Sequence, residues 1–361
     1  MKMSRIQRCD ALLVLFLLPA LTMIAGTGSR AYAQQYNRVI DLRGDWRFEI
    51  GDDPRWADPS FKDAGWVTLR VPGQWEEQGF PGYDGYAWYR KSVNIPKDWQ
   101  QKQLYLDLGT IDDVDEVYVN GQFIGFRGQF PPDYITAYNE FRFYYLPAYC
   151  LQPGETNVIA VRVYDSELGG GIVRGEPAIR ELVHPLAIDQ PLSITWRFKI
   201  GDDMAWRAPQ FDDGDWERIR VPAFWETQGH KGYDGFAWYR VRFRLNPELR
   251  GQHLILFLGR IDDIDEAYLN GERIGKTGTR FTNGGDEYRR WRAYTIPNDK
   301  ILSDQDNVVA VRVYDGFAHG GIYDGPIGIV RREKYLEWAP YQERSTQRQN
   351  GVQKFLEWLF E

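Results

Sequence analysis

The amino-acid sequence repeats itself at a constant offset, and this repeat constrains the fold more than any other feature. The segment WRFEIGDDPRW at Trp46 returns as WRFKIGDDMAW at Trp196, and YDGYAWYR at Tyr83 returns as YDGFAWYR at Tyr233. Each pair lies 150 residues apart, and roughly 40% of the positions between residues 44 and 177 match their partners. Chance does not give this level of identity, so the sequence predicts a duplicated domain.

The repeat divides the 361 residues into four segments. We expect a signal peptide over residues 1–33, a first β-sandwich domain over 36–187, a second over 188–332 and a C-terminal tail over 333–361. The short segment HPLA, which begins at His184, joins the two predicted domains.

The N-terminal segment has the three parts of a secretory signal. They are a basic start, an apolar run (ALLVLFLLPALTMIAG) and a small-residue cleavage site at Ala31-Tyr32-Ala33. The apolar run is shorter than the roughly 20 residues that a membrane span needs. We therefore expect an exported protein, periplasmic or extracellular, with no membrane span after cleavage. Cys150 is then the only cysteine of the mature chain, which excludes an internal disulfide.

Composition excludes two broad classes of protein. Aromatic residues make up 15% of the chain, and this apolar area favours packed cores over disorder. The formal net charge is -7, and the sequence shows no basic face for nucleic acid.

Short strands separated by turns fill each repeat. The runs LYLDL at Leu104 and VIAVRV at Val158 are typical of strands, and Asn120-Gly121 and Asn270-Gly271 predict tight hairpin turns. Neither repeat shows a sustained helical period. The sequence therefore predicts an all-β protein of two tandem jelly-roll β-sandwiches with a short C-terminal helix.

Three motifs together carry a resemblance. They are LGTIDDVDEVYVNGQFIG from Leu108, RFYYLP from Arg142 and NVIAVRVYD from Asn157, and each has a counterpart in the second repeat. The combination resembles the sugar-binding domain of family 2 glycoside hydrolases such as β-galactosidases, and is closest to the version in sialate O-acetylesterases. The resemblance implies galactose-binding-like sandwiches and a role in carbohydrate metabolism.

No catalytic module accompanies these motifs. No stretch of about 250 residues remains for a (β/α)₈ barrel, and no Gly-x-Ser-x-Gly nucleophile segment is present. We therefore expect a non-catalytic carbohydrate-binding protein whose partners are a glycan or polysaccharide and a separate glycosidase or esterase. The alternatives are a hydrolase of O-glycosyl bonds that uses aspartates of the sandwich loops, and a structural or adaptor protein.

The candidate sugar-binding residues combine aromatic rings, which stack on a pyranose, with carboxylates, which accept hydroxyl hydrogen bonds. They are Tyr83, Asp84, Tyr86, Trp88 and Asp165 in the first repeat, and Tyr233, Asp234, Phe236, Trp238 and Asp315 in the second. The resemblance implies that Asp165 and Asp315 match an aspartate that reaches the sugar in family 2 β-galactosidases. The alternatives are a rigid aromatic corner and, for the two aspartates, turn caps.

The acidic run Asp112, Asp113, Asp115 and Glu116 has three interpretations. Strand alternation places Asp113 and Asp115 on the side of Val117, which favours structural hydrogen-bond acceptors over a catalytic row. A structural Ca²⁺ site and a catalytic carboxylate pair are the alternatives. We assign no catalytic residue, no metal ligand and no cofactor, and the four histidines lack zinc-ligand spacing.

The segment VQKFLEWLFE, which begins at Val352, places its apolar residues on one helical face. It predicts an amphipathic helix that docks either on its own sandwich or on a partner enzyme.

Overall fold

The computed structural model describes residues 36–99, 102–192, 194–279, 287–316 and 319–340. The predicted signal peptide and the amphipathic segment after Val352 lie outside these residues. None of the helices that the structure describes has the length and hydropathy to cross a membrane.

Eleven strands form the first half of the described chain. They are β1 (Tyr36–Asp41), β2 (Gly44–Ile50), β3 (Val67–Val71), β4 (Gly85–Asn94), β5 (Leu104–Asp112), β6 (Val114–Val119), β7 (Gln122–Arg127), β8 (Phe141–Leu146), β9 (Thr156–Asp165), β10 (Gly171–Arg174) and β11 (Ala178–Leu182).

Eleven further strands form the second half. They are β12 (Gln190–Pro191), β13 (Thr195–Ile200), β14 (Glu217–Arg220), β15 (Gly235–Arg244), β16 (Leu254–Asp262), β17 (Ile264–Leu269), β18 (Glu272–Thr277), β19 (Trp291–Ile296), β20 (Asp306–Asp315), β21 (Gly321–Asp324) and β22 (Gly328–Arg331).

Short 3₁₀ helices connect the strands, and residues 332–340 form a longer helix. The 3₁₀ helices are Pro54–Ala57, Glu76–Gln78, Lys97–Trp99, Ala148–Cys150, Met204–Arg207, Trp225–Gln228, Pro247–Leu249 and Glu287–Arg289.

Each half is a sandwich of one five-stranded and one six-stranded sheet. In the first half, β5 pairs with β8, β10 and β11, and β1 extends the sheet beyond β11; the other sheet has the order β3-β2-β4-β9-β6-β7. The second half has the same strand orders, with β16 in the place of β5. The predicted all-β jelly-roll fold is confirmed, whereas the domain limits at residues 187 and 188 stay a prediction.

The core of each half lies between its two sheets. Trp46, Phe48 and Tyr89 from the six-stranded sheet pack against strand residues such as Leu106 of the five-stranded sheet. Alternate residues of each strand face this core, which is the period that the sequence shows. The burial of these large apolar side chains is the main contribution to the stability of each sandwich.

A buried ion pair connects the two sheets of the first sandwich. Arg142 on β8 donates from Nε to Oδ1 of Asp115 on β6 at 2.6 Å, and both side chains are fully buried. Tyr144 donates its hydroxyl to the other oxygen of Asp115, and Arg142 also donates to the carbonyl oxygens of Ala137 and Asp113. These contacts satisfy both charged groups inside the sandwich.

The second sandwich contains the same network. Arg292 donates to Asp265 at 2.7 Å, and Tyr294 donates to the second oxygen of Asp265 at 2.6 Å. A β-carbon at Gly275 would lie 2.0 Å from the Tyr294 ring, so glycine is required where this tyrosine crosses the sandwich.

The two halves are in contact with each other. The Phe126 ring stacks on the His319 imidazole with a centroid distance of 3.7 Å. Gln103 donates from Nε2 to the carbonyl of Gly325 at 2.6 Å, and the Tyr105 hydroxyl donates to Asp324 at 3.3 Å. An isolated half would therefore expose rings and polar groups that are buried in the full chain.

The helix over residues 332–340 packs on the second sandwich. Trp338 contacts the Phe257 and Trp291 rings, and its indole N–H donates to the carbonyl of His184 at 3.0 Å. A helix at this place in the chain was not predicted from the sequence, because the apolar period was read only from Val352 onward.

Loss of the buried ion pair should lower the stability of the protein. Asp115→Ala leaves the Arg142 guanidinium buried without its carboxylate, so the free energy of unfolding should fall by about 3–5 kcal/mol in urea denaturation of the full chain. Asp265→Ala should have a similar effect. Asp41→Ala is the control, because its ion pair with Arg43 is exposed, and its urea midpoint should match that of the wild type.

The stability that His319 contributes at the contact between the halves should depend on pH. Burial, together with the positive charge of Arg127, lowers the pKa of His319 to about 3. The unfolded chain takes up this proton near pH 6.5, so the contribution is complete above that pH and is lost as the pH falls toward 3. The urea midpoint should therefore decrease between about pH 7.5 and pH 5.

A non-titrating variant isolates this histidine. His319→Phe keeps a ring on Phe126, and its midpoint should decrease less than that of the wild type over the same pH range. His253→Gln removes an exposed imidazole and should behave as the wild type does. Equal decreases in all three proteins would assign the pH dependence to other groups.

Candidate functional site

Trp88 and Trp238 are buried, which corrects their prediction as sugar-stacking rings. Both side chains are 0% exposed. Trp88 points to the outer face of the six-stranded sheet, but Trp56 and Trp66 pack over it, and its indole N–H donates to Asp52 at 3.2 Å. A ring enclosed in this way has no face to offer a sugar.

Tyr83 and Tyr233 form aromatic corners. The Tyr83 ring packs edge-on against Trp75, and its hydroxyl donates to the carbonyl of Tyr86 at 2.8 Å. Tyr233 repeats both contacts with Trp225 and Phe236. These contacts match the alternative of a rigid corner, while the neighbouring Asp84 and Asp234 are exposed.

Tyr86 belongs to a half-buried group of rings on the outer face of the six-stranded sheet. Its ring stacks parallel to Phe130 at 5.8 Å and contacts Tyr164, its cross-strand partner, at 4.8 Å. The Arg162 guanidinium lies 4.9 Å from the Tyr86 centroid and 4.2 Å from the Phe130 centroid. We call these four residues the aromatic surface.

Ion pairs hold Arg162 in place. It donates from Nε to Asp52 at 2.7 Å and from Nη1 to Glu116 at 3.0 Å. The guanidinium plane is thereby fixed beside the rings, which limits the entropy lost when a ligand binds.

The second half presents a related arrangement around Phe236. The Arg312 guanidinium lies 4.1 Å from the Phe236 centroid, and the Tyr314 ring lies 4.9 Å from it. Arg312 donates from Nε to Asp202 at 2.7 Å. Phe236 is half-buried, as Tyr86 is.

The acidic run separates into side chains with different surroundings. Asp115 is in the buried ion pair described above, and Glu116 faces outward to Arg162. Asp113 accepts hydrogen bonds from Thr136 and from both the backbone and the hydroxyl of Ser166. Burial raises the pKa of Asp113, but these hydrogen bonds outweigh it and hold the pKa below its usual value.

Three carboxylates meet here, and Asp113 is one of them. Oxygens of Asp112, Asp113 and Asp165 all lie within 4.8 Å of one another, and we call these residues the acidic cluster. Asp165 is 0% exposed. Burial and the charges of Asp113 and Asp112 raise the pKa of Asp165 to about 7, and burial with the charge of Asp113 raises that of Asp112 to about 6.

The corresponding aspartates of the second half also meet. Oxygens of Asp262, Asp263 and Asp315 lie within 4.8 Å of one another, and Asp263 accepts from the backbone N–H of Gly316 at 3.1 Å. Burial and the neighbouring carboxylates raise the pKa of Asp262 well above its usual value.

Several residues of these sites were missed in the sequence. Phe130, Tyr134, Thr136 and Ser166 correspond to Arg280, Gly284, Asp286 and Gly316 in the second repeat. The sequence prediction used positions that both repeats share, so it did not include residues that differ between the repeats. The run of rings around Phe130 and Tyr134 was the available signal.

No model of a known protein family matches the chain. Beta-galactosidase BoGH2A of Bacteroides ovatus is 33% identical over 141 residues, which are 35% of this chain and 15% of that enzyme. A beta-glucuronidase of Formosa agariphila is 31% identical over 133 residues, which are 33% of this chain and 12% of that enzyme.

Solved structures give similar neighbours. A Bacteroides uniformis beta-glucuronidase has a TM-score of 0.34 at 15% identity, covering 79% of this chain and 28% of its own. A Ruminococcus gnavus beta-glucuronidase has a TM-score of 0.33 at 13% identity, covering 73% of this chain and 38% of its own.

The similarities to the two curated enzymes agree with the resemblance found in the sequence. About a third of the chain is similar to family 2 glycoside hydrolases, as expected for sandwiches of their sugar-binding type. The chain spans 15% or less of the length of the curated relatives named above. A role related to carbohydrates is supported at this level.

The different surroundings of Trp88 and Tyr86 predict different losses of stability. Trp88→Ala empties an enclosed site and should lower the free energy of unfolding by about 3–5 kcal/mol, and Trp238→Ala should behave alike. Tyr86→Ala removes a half-buried ring and should cost much less. Urea denaturation of the full-length variants measures both, and equal losses would contradict the assignment of Tyr86 to the surface.

Proposed function

We propose that this chain is an exported, non-catalytic carbohydrate-binding protein that assists carbohydrate degradation by a separate enzyme. The observation that carries the proposal is the aromatic surface, on a sandwich similar to those of family 2 glycoside hydrolases. Half-buried parallel rings offer apolar faces to the C–H groups of a pyranose. A predicted signal peptide supports export.

The polar groups around the rings suit sugar hydroxyls. Arg162 supplies N–H donors, and the carboxylates of Asp52 and Glu116 supply acceptors beside it. The exposed Asp84 adds an acceptor near Tyr86 in the sequence. Mixed rings, donors and acceptors on an open surface favour a sugar over an apolar ligand.

Asp165 and Asp315 are poorly placed to bind a sugar. Both are 0% exposed, so a sugar hydroxyl would reach them only after rearrangement of the loops around them. The binding function is therefore better placed on Tyr86 and Phe236 than on the two buried aspartates.

Hydrolysis of O-glycosyl bonds is the second candidate function. The observation in its favour is that Asp112 and Asp165 have pKa values raised to about 6 and about 7, as a general acid requires. The complete burial of Asp165 opposes it, because a catalytic carboxylate must contact the glycosidic bond.

Two weak sites in one chain favour an extended glycan as the ligand. One or two rings bind a single sugar with about millimolar affinity, or about -4 kcal/mol. A polysaccharide that reaches both Tyr86 and Phe236 gains from the high effective concentration of the second contact. The full chain is the correct test object, because the halves share buried contacts.

The proposal predicts that the half-buried rings Tyr86 and Phe236 carry glycan binding. A glycan array first identifies a polysaccharide ligand, and calorimetry then compares variants of the full chain. Tyr86→Ala with Phe236→Ala should weaken binding at least about tenfold, or about 1.4 kcal/mol. Each single variant should lose part of this.

Phe141→Ala is the matched control, because Phe141 is an exposed ring on β8, in the opposite sheet. It should bind as the wild type does. An array on which no glycan binds would favour the adaptor alternative. Turnover of chromogenic glycosides that disappears in Asp113→Asn or Asp165→Asn would replace binding with hydrolysis as the function.

A further inference from the structure

The acidic cluster concentrates negative charge that the protein does not neutralise. Among the described residues, no lysine or arginine forms an ion pair with Asp112, Asp113 or Asp165. The charge of Arg142 acts on Asp112, but its guanidinium is already bonded to Asp115 and to backbone carbonyls. Three carboxylates this close repel one another unless a proton or a cation lies among them.

Asp165 is the second observation that points to a ligand. Its side chain is completely buried, and neither carboxylate oxygen has a hydrogen-bond partner. Buried carboxylates are ordinarily hydrogen-bonded or paired, since an uncompensated one costs several kcal/mol. Its oxygens share the space within 4.8 Å of those of Asp112 and Asp113.

The cluster is also held in position by its surroundings. Thr136 donates to Oδ1 of Asp113, and the backbone N–H and the hydroxyl of Ser166 both donate to Oδ2, so the orientation of this carboxylate is fixed. Asp165 ends β9, and the following residues lead into β10, which pairs with β5 at Asp112. The three side chains therefore come from elements that the sandwich places together.

We propose that Asp112, Asp113 and Asp165 bind a calcium ion. Calcium prefers carboxylate and other oxygen ligands at 2.3–2.6 Å, so two oxygens on one ion lie at most about 5 Å apart, as they do here. The cluster offers no nitrogen or sulfur, which zinc favours. Magnesium usually takes only one or two carboxylates and keeps its waters, so three protein carboxylates favour calcium.

The ion would give the buried Asp165 carboxylate its missing partner. It would also join the end of β9 to the start of β6, beside the loop that carries Tyr134 and Thr136. The site adjoins the aromatic surface, since the backbone N–H of Asp113 donates to the carbonyl of Tyr164 at 3.1 Å. Calcium binding there does not depend on the proposed glycan binding.

The test is calcium binding by the full chain after treatment with a chelator. Calorimetric titration with calcium chloride should show binding in the wild type, and Asp165→Asn should lower the stoichiometry by one, whatever the aspartates of the second half contribute. Asp98→Asn removes one exposed carboxylate and is the control for charge. It should bind as the wild type does.

Thermal unfolding gives an independent measurement with a characteristic sign. Without calcium, Asp165→Asn relieves repulsion in the cluster, so its Tm should exceed that of the wild type. With calcium, the wild-type Tm should rise and that of Asp165→Asn should rise less, because the ion binds only the folded state. A purely structural aspartate would give no such calcium-dependent difference.

Two results would overturn the proposal. One is a chelator-treated wild type that binds no calcium and shows no calcium-dependent change in Tm. The other is binding that Asp165→Asn leaves unchanged. If Asp165→Asn does not fold, Asp112→Asn replaces it, since Asp112 is half-buried and its loss disturbs the core less. Calcium binding that Asp112→Asn leaves unchanged would contradict the proposal equally.

Discussion

The buried Arg142–Asp115 ion pair is the interaction on which the rest of each sandwich depends. It connects β8 of one sheet to β6 of the other, and Arg292–Asp265 does the same in the second half. A guanidinium inside a sandwich is stable only where every donor has an acceptor. Carbonyl oxygens from the chain around Ala137 and Asp113 meet that requirement, so the pair also orders the segments beside the acidic cluster.

Alternate residues of the strands in the six-stranded sheet face the core and the outer surface. On β4 and β9, residues such as Tyr89 and Val163 enter the core, while Tyr86 and Tyr164 face outward. The outward face is covered by tryptophans at one end and left half-open at the other. The aromatic surface is the open part, and the acidic cluster lies where β9 ends. The proposed glycan and calcium sites therefore both lie at the margins of the sheet.

Fold and site were not equally predictable from the sequence. Strand alternation and the Asn-Gly turns predicted the sandwich fold, because both features depend on only a few neighbouring residues. Alternation also placed Trp88 and Tyr86 on the same face, but it does not tell which part of that face another segment covers. Trp56 and Trp66 cover Trp88, so this ring has no free face, although the sequence placed it with Tyr86 among the candidate rings. Phe130 was not predicted as a site residue, because the equivalent position in the second repeat is not aromatic.

The sequence by itself determined the all-β class, the internal repeat and the resemblance to sugar-binding domains, since these depend on local period and on motifs read along the chain. Tertiary structure alone decided which rings are enclosed and which carboxylates meet. Asp112 and Asp113 adjoin in sequence, but Asp165 joins them from a strand more than 50 residues later. Its burial and its neighbours arise only when β9 pairs with β4 and β6, because the distance between such side chains is set by the packing of strands and not by their spacing along the chain.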